Sequence, residues 1–173
     1  ITANKIYYYK NGKITREVER KKPNNNLSSE YADYDIELAK FKRKSLEQLN
    51  TLLPSANTRD LVFIIDALSY KGKGGISSLA GLLANDKSLN FPKDKHTKRK
   101  RYIWVDGNNK FEDLEVRTWA AYMLQLTTKQ MPSNVSFGER AGYMFAQVKG
   151  KGRRKAEVAK AWLEWWNSNQ VKH

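Results

Sequence analysis

A run of fifteen residues, Lys87–Arg101, has the strongest chemical character in the chain. It carries seven Lys or Arg residues, one Asp and one of only two histidines. Lys and Arg side chains neutralise phosphates and release counterions, and Tyr102 and Trp104, which follow the run, offer faces on which bases can stack. The run, called the basic loop below, therefore predicts contact with a nucleic-acid backbone.

A second cluster, Lys149–Lys155, repeats this composition at the start of a predicted helix and is called the basic turn. Its glycines could let backbone N–H groups approach an anion, and the helix N-terminus adds a favourable dipole. Lys71–Gly75 could add a third basic contact. We expect the loop and the turn to form one composite basic surface making roughly six or more phosphate contacts. The predicted nucleic-acid-binding residues are Lys93, Lys98, Arg99, Lys100, Arg101, Tyr102, Lys149, Lys151, Arg153, Arg154 and Lys155.

The basic loop also contains residues that could perform catalysis. A neutral imidazole among cations could act as a general base, and the cations could stabilise a phosphoryl transition state. The alternative function is therefore a small toxin-type nuclease domain, from the C-terminus of a larger protein, that cleaves RNA without a metal. Its catalytic residues would be His96, Lys95, Thr97 and Arg99. The residue types do not decide between binding and cleavage, or between RNA and DNA.

Acidic residues near the second predicted hairpin allow a less favoured, metal-dependent interpretation. Asp106 and Glu115, with Lys110 nearby, could converge on Mg²⁺ as the carboxylates of a nuclease do. Helix capping explains Asp113 and Glu115 more simply. We therefore predict no metal ligand set and no cofactor.

The composition supports a folded, nucleic-acid-binding chain. Lys and Arg total 32 against 18 Asp and Glu, which gives a formal net charge of +14 and a pI near 9.9. Hydrophobic residues make up 40% of the chain, enough for a core, and the absence of cysteine excludes disulfides, thiolate metal sites and Cys nucleophiles. No apolar stretch approaches the ~20 residues of a membrane span, and no signal-peptide pattern is present. We expect no membrane partner and a cytoplasmic site of action.

Turn chemistry divides the chain into two predicted parts. Asn11-Gly12, between β-branched and aromatic residues, predicts a hairpin over residues 5–18, and the Pro and Asn residues of Lys21–Asn26 predict a linker. The expected domains are a 1–22 N-terminal hairpin appendage and a 28–173 mainly helical basic domain.

Apolar spacings of three and four predict the helices of the second part. They are Glu30–Leu53 (capped by Ser28-Ser29), Thr58–Tyr70, Ile76–Asn85, Leu114–Lys129, Phe137–Val148 and Arg153–Asn167. Residues 102–111 predict a second hairpin. The expected fold is α+β and mainly helical, with five or six helices, two short hairpins and a winged-helix-like centre. In the last helix, Trp162 and Trp166 share a core-facing side, whereas Trp165 faces elsewhere and could contact a protein partner.

Overall fold

The computed structural model describes residues 5–10, 13–19, 31–140 and 143–169, and the chain divides into two compact units, 1–30 and 31–173. In the first unit, strands β1 (Lys5–Lys10) and β2 (Lys13–Glu19) pair in antiparallel register, as predicted. The predicted Asn11-Gly12 turn, the linker and the Ser28-Ser29 cap lie outside the described residues.

The described part of the second unit contains six helices and a mixed four-stranded sheet, which confirms the α+β class. The elements in chain order are β3 (Tyr31–Ala32), α1 (Tyr34–Lys42), α2 (Leu46–Leu52), α3 (Asp60–Leu68), α4 (Gly72–Gly81), β4 (Lys93–Asp94), β5 (Ile103–Val105), β6 (Phe111–Glu112), α5 (Val116–Thr128), β7 (Val135–Arg140), β8 (Tyr143–Val148) and α6 (Lys155–Asn169). No helix among the described residues is long and apolar enough to cross a membrane.

Helix α3 lies at the centre of this unit because it is apolar on nearly every side. Every residue from Leu61 to Leu68 is buried, and the helix packs against α1, α4 and α5. A helix that is apolar all round is typical of a core element. Trp162 of α6 and Trp104 of β5 are also fully buried in the same core.

The four-stranded sheet has the strand order β6-β5-β8-β7. The hairpin β5–β6 was predicted and is confirmed by the pairing of Trp104 with Glu112. β5 and β8 run parallel, so α5 and β7 form the connection between them. On β8, Met144, Ala146 and Val148 point into the core, where the strand packs against α6. Side chains alternate along a strand, so Tyr143, Phe145 and Gln147 lie on the opposite face.

The predicted helix Phe137–Val148 is wrong. These residues form most of the antiparallel pair β7–β8, in which Val135 lies opposite Val148 and Phe137 opposite Ala146. Ser136 and Glu139 have the spacing of a helix-capping box, but they occupy opposite faces of β7. The period-two burial of β8 stabilises the strand more than the capping pattern could stabilise a helix.

The predicted helix Glu30–Leu53 is wrong as a single element, because the helix is interrupted between α1 and α2. Ser45 Oγ accepts a hydrogen bond from the Gln48 N–H at 3.1 Å, and Gln48 Oε1 accepts one from the Ser45 N–H at 2.9 Å. This reciprocal pair begins a new helix. Upstream, the Asp33 side chain caps α1 by accepting from the Ile36 N–H.

Lys71–Gly75, considered above as a third basic contact, lies mostly within a helix, since α4 begins at Gly72. A Cβ at Gly75 would overlap the Leu68 carbonyl oxygen, and a Cβ at Gly74 would overlap the Leu46 side chain. These glycines permit close packing of α4 on its neighbours, which argues against a phosphate-binding role. Three predicted helices differ by one or two residues at their ends: Thr58–Tyr70 is α3, Leu114–Lys129 is α5, and Arg153–Asn167 is α6. The predicted helix Ile76–Asn85 corresponds to α4 but is displaced from it by four residues at each end.

Candidate nucleic-acid interface

The tip of the basic loop is a tight turn organised by its only acid. Asp94 Oδ1 accepts hydrogen bonds from the backbone N–H groups of His96, at 2.9 Å, and Thr97, at 2.7 Å. The Asp94 N–H donates to the Arg99 carbonyl oxygen, and Lys98 adopts a left-handed φ of 57°. The hydrogen bond from the Thr97 N–H is the main reason that the pKa of Asp94 is lowered. The sequence places an acid here because the turn requires an acceptor.

The two ends of this turn are fixed to the folded unit. β4 pairs in parallel with β3, so that Lys93 lies opposite Tyr31, and the Lys95 N–H donates to the Ala32 carbonyl oxygen at 3.0 Å. Before the turn, Leu89 and Phe91 are buried in the core. The positive residues are therefore held on a defined support rather than on a free loop.

A groove with a volume of about 970 Å³ lies beside the turn and is called the basic groove. It is bounded by cations of the loop on one side and by residues of β5 and β8 on the other. Its lining residues are Lys93, Asp94, Thr97, Arg99, Lys100, Arg101, Ile103 and Tyr143. The groove brings four of the predicted nucleic-acid-binding residues, Lys93 and Arg99–Arg101, to one place.

The cations of the groove differ in how far they are already paired. Lys100 Nζ lies 2.6 Å from Asp113 Oδ1, so part of its charge is neutralised within the protein. Arg101 places its guanidinium 4.2 Å from the centroid of the Tyr34 ring and 3.9 Å from Asp35 Oδ1. Lys98 and Arg99 are exposed, and their side chains extend into solvent beside the groove. Lys98 and Arg99 are thus the loop cations best placed to contact a phosphate.

Aromatic residues missed by the sequence interpretation lie on the outer surface of the sheet, called the open sheet face. The Phe111 ring is 60% exposed, and its centroid lies 4.7 Å from that of Tyr143, with 35° between the ring planes. Phe145 lies two residues beyond Tyr143 on the same face of β8, and its ring covers Gly138 on β7. The period-two alternation of residues 143–148 was the signal that could have revealed this surface.

Tyr102, by contrast, was predicted to contact bases but lies mainly in the core. Its ring centroid is 5.1 Å from that of Trp119 and 5.9 Å from that of Phe91. Because Ile103 follows it on β5 and faces the groove, Tyr102 points to the other side of the strand. The exposed aromatic surface is therefore supplied by Phe111 and Tyr143.

The basic turn approaches the open sheet face through Arg153. The Arg153 guanidinium lies 5.0 Å from the centroid of the Phe145 ring, in cation–π geometry. Tyr143 of the basic groove and Phe145 beneath Arg153 are on the same face of one strand. A two-residue step along a strand spans about 6.8 Å. The loop and the turn therefore both reach this face of β8.

The backbone of the basic turn does not form the anion-binding cradle that its glycines predict. Gly150 and Gly152 have left-handed φ angles of 78° and 72°, which close the turn tightly. The N–H groups of Lys151 and Gly152 both donate to the Val148 carbonyl oxygen, and the Lys149 N–H donates to that of Asn134. These three amides are therefore engaged within the protein and do not face a ligand.

Lys155 is directed inward and forms ion pairs with acids of the segment Glu112–Glu115. Its side chain is 12% exposed, and Nζ lies 3.1 Å from Glu112 Oε1 and 3.3 Å from Glu115 Oε1. It also donates to the main-chain oxygen of Asp113, whose carboxylate binds Lys100. Lys155 thus links the basic turn to the basic loop, and its buried position disfavours phosphate contact. Lys151 pairs with Glu157 at 3.1 Å, and Lys149 and Arg154 are exposed.

The four proposed catalytic residues are all within the Asp94 turn, but they do not surround one point. Thr97 and Arg99 line the basic groove, whereas Lys95 and His96 are exposed at the tip. Thr97 Oγ1 accepts a hydrogen bond from the Arg99 N–H at 3.4 Å. A general base must reach the proton that it removes, so a substrate would have to wrap around the tip to meet both pairs.

The carboxylates considered for a metal site have structural partners. Asp106 Oδ1 accepts from the N–H groups of Asn108 and Lys110 in the β5–β6 turn. Glu115 pairs with Arg117 at 2.6 Å and with Lys155. Within the described ranges, no three His, Asp or Glu side chains are grouped so that they could hold a metal ion.

A second, smaller cavity of about 230 Å³ lies on the inner side of Arg101. Asp66, which is 9% exposed, accepts a hydrogen bond from the Tyr34 hydroxyl at 2.8 Å. Burial raises the pKa of this carboxyl, although the Tyr34 hydrogen bond opposes the shift. Tyr122 also borders the cavity, and burial, together with the nearby Glu139, raises its pKa to about 12. The sequence signal for this cluster was the single acid within the apolar run of α3.

The tryptophans of α6 lie on the sides of the helix that were predicted from the sequence. Trp162 and Trp166 are buried in the core. Trp165 is half-buried, and its ring meets Trp162 edge-on with 5.5 Å between centroids. A protein partner at Trp165 stays a prediction.

No protein-family model, no curated protein and no solved structure matches this chain.

Proposed function

We propose that this protein binds nucleic acid through a composite basic surface formed by the basic loop, the open sheet face and the basic turn. The observation that carries the proposal is the position of Tyr143 and Phe145 on one face of β8. Tyr143 lines the basic groove, and Phe145 lies under Arg153 of the basic turn. One extended backbone could therefore contact cations of both clusters.

The charges available to a ligand are those without a carboxylate partner. Lys98 and Arg99 of the loop, and Lys149 and Arg154 of the turn, are exposed. Lys100 and Lys155 are held by acids, so they contribute less than their sequence suggests. We expect about four to five phosphate contacts, which corresponds to a slope of log K against log[salt] of roughly −3 to −4.5.

The experiment that tests this proposal is a salt titration of binding to a labelled oligonucleotide. A double variant, Arg99→Gln with Arg154→Gln, removes one cation from each cluster, and Lys73→Gln with Lys160→Gln removes the same charge outside the basic groove. The first variant should reduce the slope by about 1.5 to 2, and the control should leave it nearly unchanged. Binding that is absent, or that does not depend on salt, would contradict the proposal.

Cleavage by the same surface is the alternative proposal, supported by the position of Thr97 and Arg99 in the groove next to exposed His96. Incubation of the protein with labelled tRNA and duplex DNA, with and without EDTA, separates the two. For a nuclease that uses His96, His96→Ala should lower the cleavage rate by about 10²–10⁴ while leaving binding nearly intact. Intact substrate with wild-type protein favours the binding function.

A winged-helix mode, in which α4 or the β5–β6 hairpin enters a groove of duplex DNA, is a further proposal. It differs from the composite surface in the elements that contact the ligand. Substitutions on α4, such as Lys73→Gln, would weaken duplex binding only in the winged-helix mode.

A further inference from the structure

We infer that the ligand is single-stranded nucleic acid, whose bases stack on the Phe111–Tyr143 pair while its phosphates follow the basic groove. This inference rests on the proposed function and names the class of ligand. Phe111 is 60% exposed, although Phe side chains are usually buried, and half-buried Tyr143 lies beside it at the edge of the groove.

Bases and phosphates would contact different residues of the same surface: the bases would stack on the aromatic pair, and the phosphates would contact the cations of the groove. Tyr143 belongs both to the groove lining and to the aromatic pair, so a backbone next to Arg99 has a ring immediately beside it. Unpaired bases can be turned out and stacked on aromatic side chains. Bases inside a duplex are already stacked and do not present their faces, so a duplex could use only the cations.

Arg153 supplies a third flat surface on this face. The Arg153 guanidinium packs against the Phe145 ring. The Phe145 ring in turn packs over Gly138, where a Cβ would overlap it. A planar guanidinium can stack on a base as well as carry charge. The bound nucleic-acid strand would therefore meet the Phe111–Tyr143 pair first and Arg153 next as it runs along β8.

The distribution of positive charge around this face also favours single-stranded nucleic acid as the ligand. Arg99 lines the groove together with Tyr143 of the open sheet face, and exposed Lys98 precedes Arg99 in the loop. Lys149 and Arg154 belong to the basic turn, which reaches the face through Arg153. An exposed aromatic surface flanked by cations is the general arrangement of proteins that bind single strands with little sequence preference.

The test compares three fluorescently labelled probes of equal length: a single-stranded (dT)15, an abasic 15-mer with the same phosphates, and a 15-base-pair duplex. We expect wild type to bind (dT)15 at least about tenfold more tightly than the abasic strand, because stacking contributes about a fivefold to hundredfold factor per base. An RNA probe, (U)15, establishes whether the sugar matters. Equal affinity for (dT)15 and the abasic strand, or tighter binding of the duplex, would overturn the inference.

Matched variants assign the stacking to particular rings. Phe111→Ala and Tyr143→Ala should each reduce the affinity for (dT)15 by about tenfold and leave the affinity for the abasic strand unchanged. Arg153→Lys keeps the charge but removes the plane, so it should lower (dT)15 binding with the salt slope preserved. Tyr70→Ala is the control, since Tyr70 is 58% exposed under Lys42 and outside this face.

Failure of the inference and failure of the proposed function give different results. If all probes bind equally and with steep salt dependence, the basic surface binds nucleic acid but the rings do not stack. If none of the probes binds, the nucleic-acid function itself is wrong. Because Phe111 and Tyr143 contribute little to the core, thermal unfolding of their variants should stay close to wild type and serves as the folding check.

Discussion

The basic loop and the basic turn look alike in sequence but use their charges differently. In the loop, one acid organises the turn through backbone hydrogen bonds, and Lys98 and Arg99 are left exposed. In the turn, Lys151 pairs with Glu157, Lys155 is held by Glu112 and Glu115, and Arg153 lies on Phe145. A count of Lys and Arg residues therefore overestimates the charge that a ligand meets. The loop leaves Lys95, Lys98 and Arg99 exposed, whereas the turn leaves Lys149 and Arg154 exposed and uses its other cations in contacts within the protein.

The largest expected effect is on stability, at Lys155. Replacing Lys155 by Met would remove the cation that bridges Glu112 and Glu115 and leave Glu115 with Arg117 alone. We expect the free energy of unfolding to fall by about 2–3 kcal/mol, below the full cost of breaking a deeply buried pair. Urea denaturation measures this. Lys151→Met is the control: its pair with Glu157 is half-exposed, with Lys151 54% exposed, so its loss should cost under about 1 kcal/mol. Similar losses in both variants would mean that the turn is not built around Lys155.

The next effect concerns affinity and separates the two clusters directly. The double variant Lys98→Ala with Arg99→Ala should weaken binding of an oligonucleotide by about tenfold or more and reduce the salt slope by about 1.5 to 2. Lys149→Ala with Arg154→Ala should produce a smaller loss if the turn contacts the ligand mainly through Arg153. Fluorescence anisotropy at several salt concentrations measures both. An equal loss for the two pairs would show that the clusters contribute equally.

A smaller effect is expected at Asp94, because it acts through the shape of the loop. Asp94→Ala removes the acceptor for the N–H groups of His96 and Thr97, so hydrogen exchange at these two amides should accelerate. Affinity should fall by about threefold to fivefold even though the protein loses a negative charge, which on electrostatic grounds alone would favour binding. Asp94→Asn keeps one acceptor oxygen and should retain most of the protection. Tighter binding by Asp94→Ala would contradict the organising role.

The smallest effect is a change in pH dependence at Asp66. Burial raises the pKa of its carboxyl above the ordinary 3.8, so the unfolded chain releases this proton at lower pH than the folded one. Asp66 therefore lowers stability as the pH rises from about 4 to its folded pKa. Asp66→Asn removes this ionisation, and its free energy of unfolding relative to wild type should increase between pH 4 and pH 7. Urea denaturation at both values measures the difference, and a constant difference would show that Asp66 does not titrate in this range.

Local sequence signals predicted α3, α5, α6 and the two hairpins, but they merged α1 with α2 and missed the strands that complete the sheet. Residues 135–148 contain good helix formers such as Met144 and Ala146, and Ser136 and Glu139 mimic a helix start. The strand pairing depends on Ile103 meeting Tyr143, a contact between distant parts of the chain that no local pattern contains. The open sheet face was missed because the period-two alternation of residues 143–148 was interpreted as part of a helix.

Composition revealed the two basic clusters, but it did not reveal which of their cations pair with acids within the protein. Nothing near Lys155 in the sequence indicates that Glu112 and Glu115 will surround it, because that contact forms only when α6 packs beside the β5–β6 hairpin. Ser45 shows the opposite case. The residue interrupted the apolar spacing of the predicted long helix, and its capping box with Gln48 was readable from the sequence.

The parallel pairing of β5 with β8 also determines when the proposed binding surface can form. β5 and β6 are neighbours in the chain and can pair early, but Ile103 meets Tyr143 only after α5 and β7 have been synthesised. Pairings between distant segments form late because closing the intervening chain costs entropy first. A chain still on the ribosome therefore carries the positive charge of its basic loop before Tyr143 can complete the groove, and we expect the proposed nucleic-acid surface to form only after β8 has been synthesised.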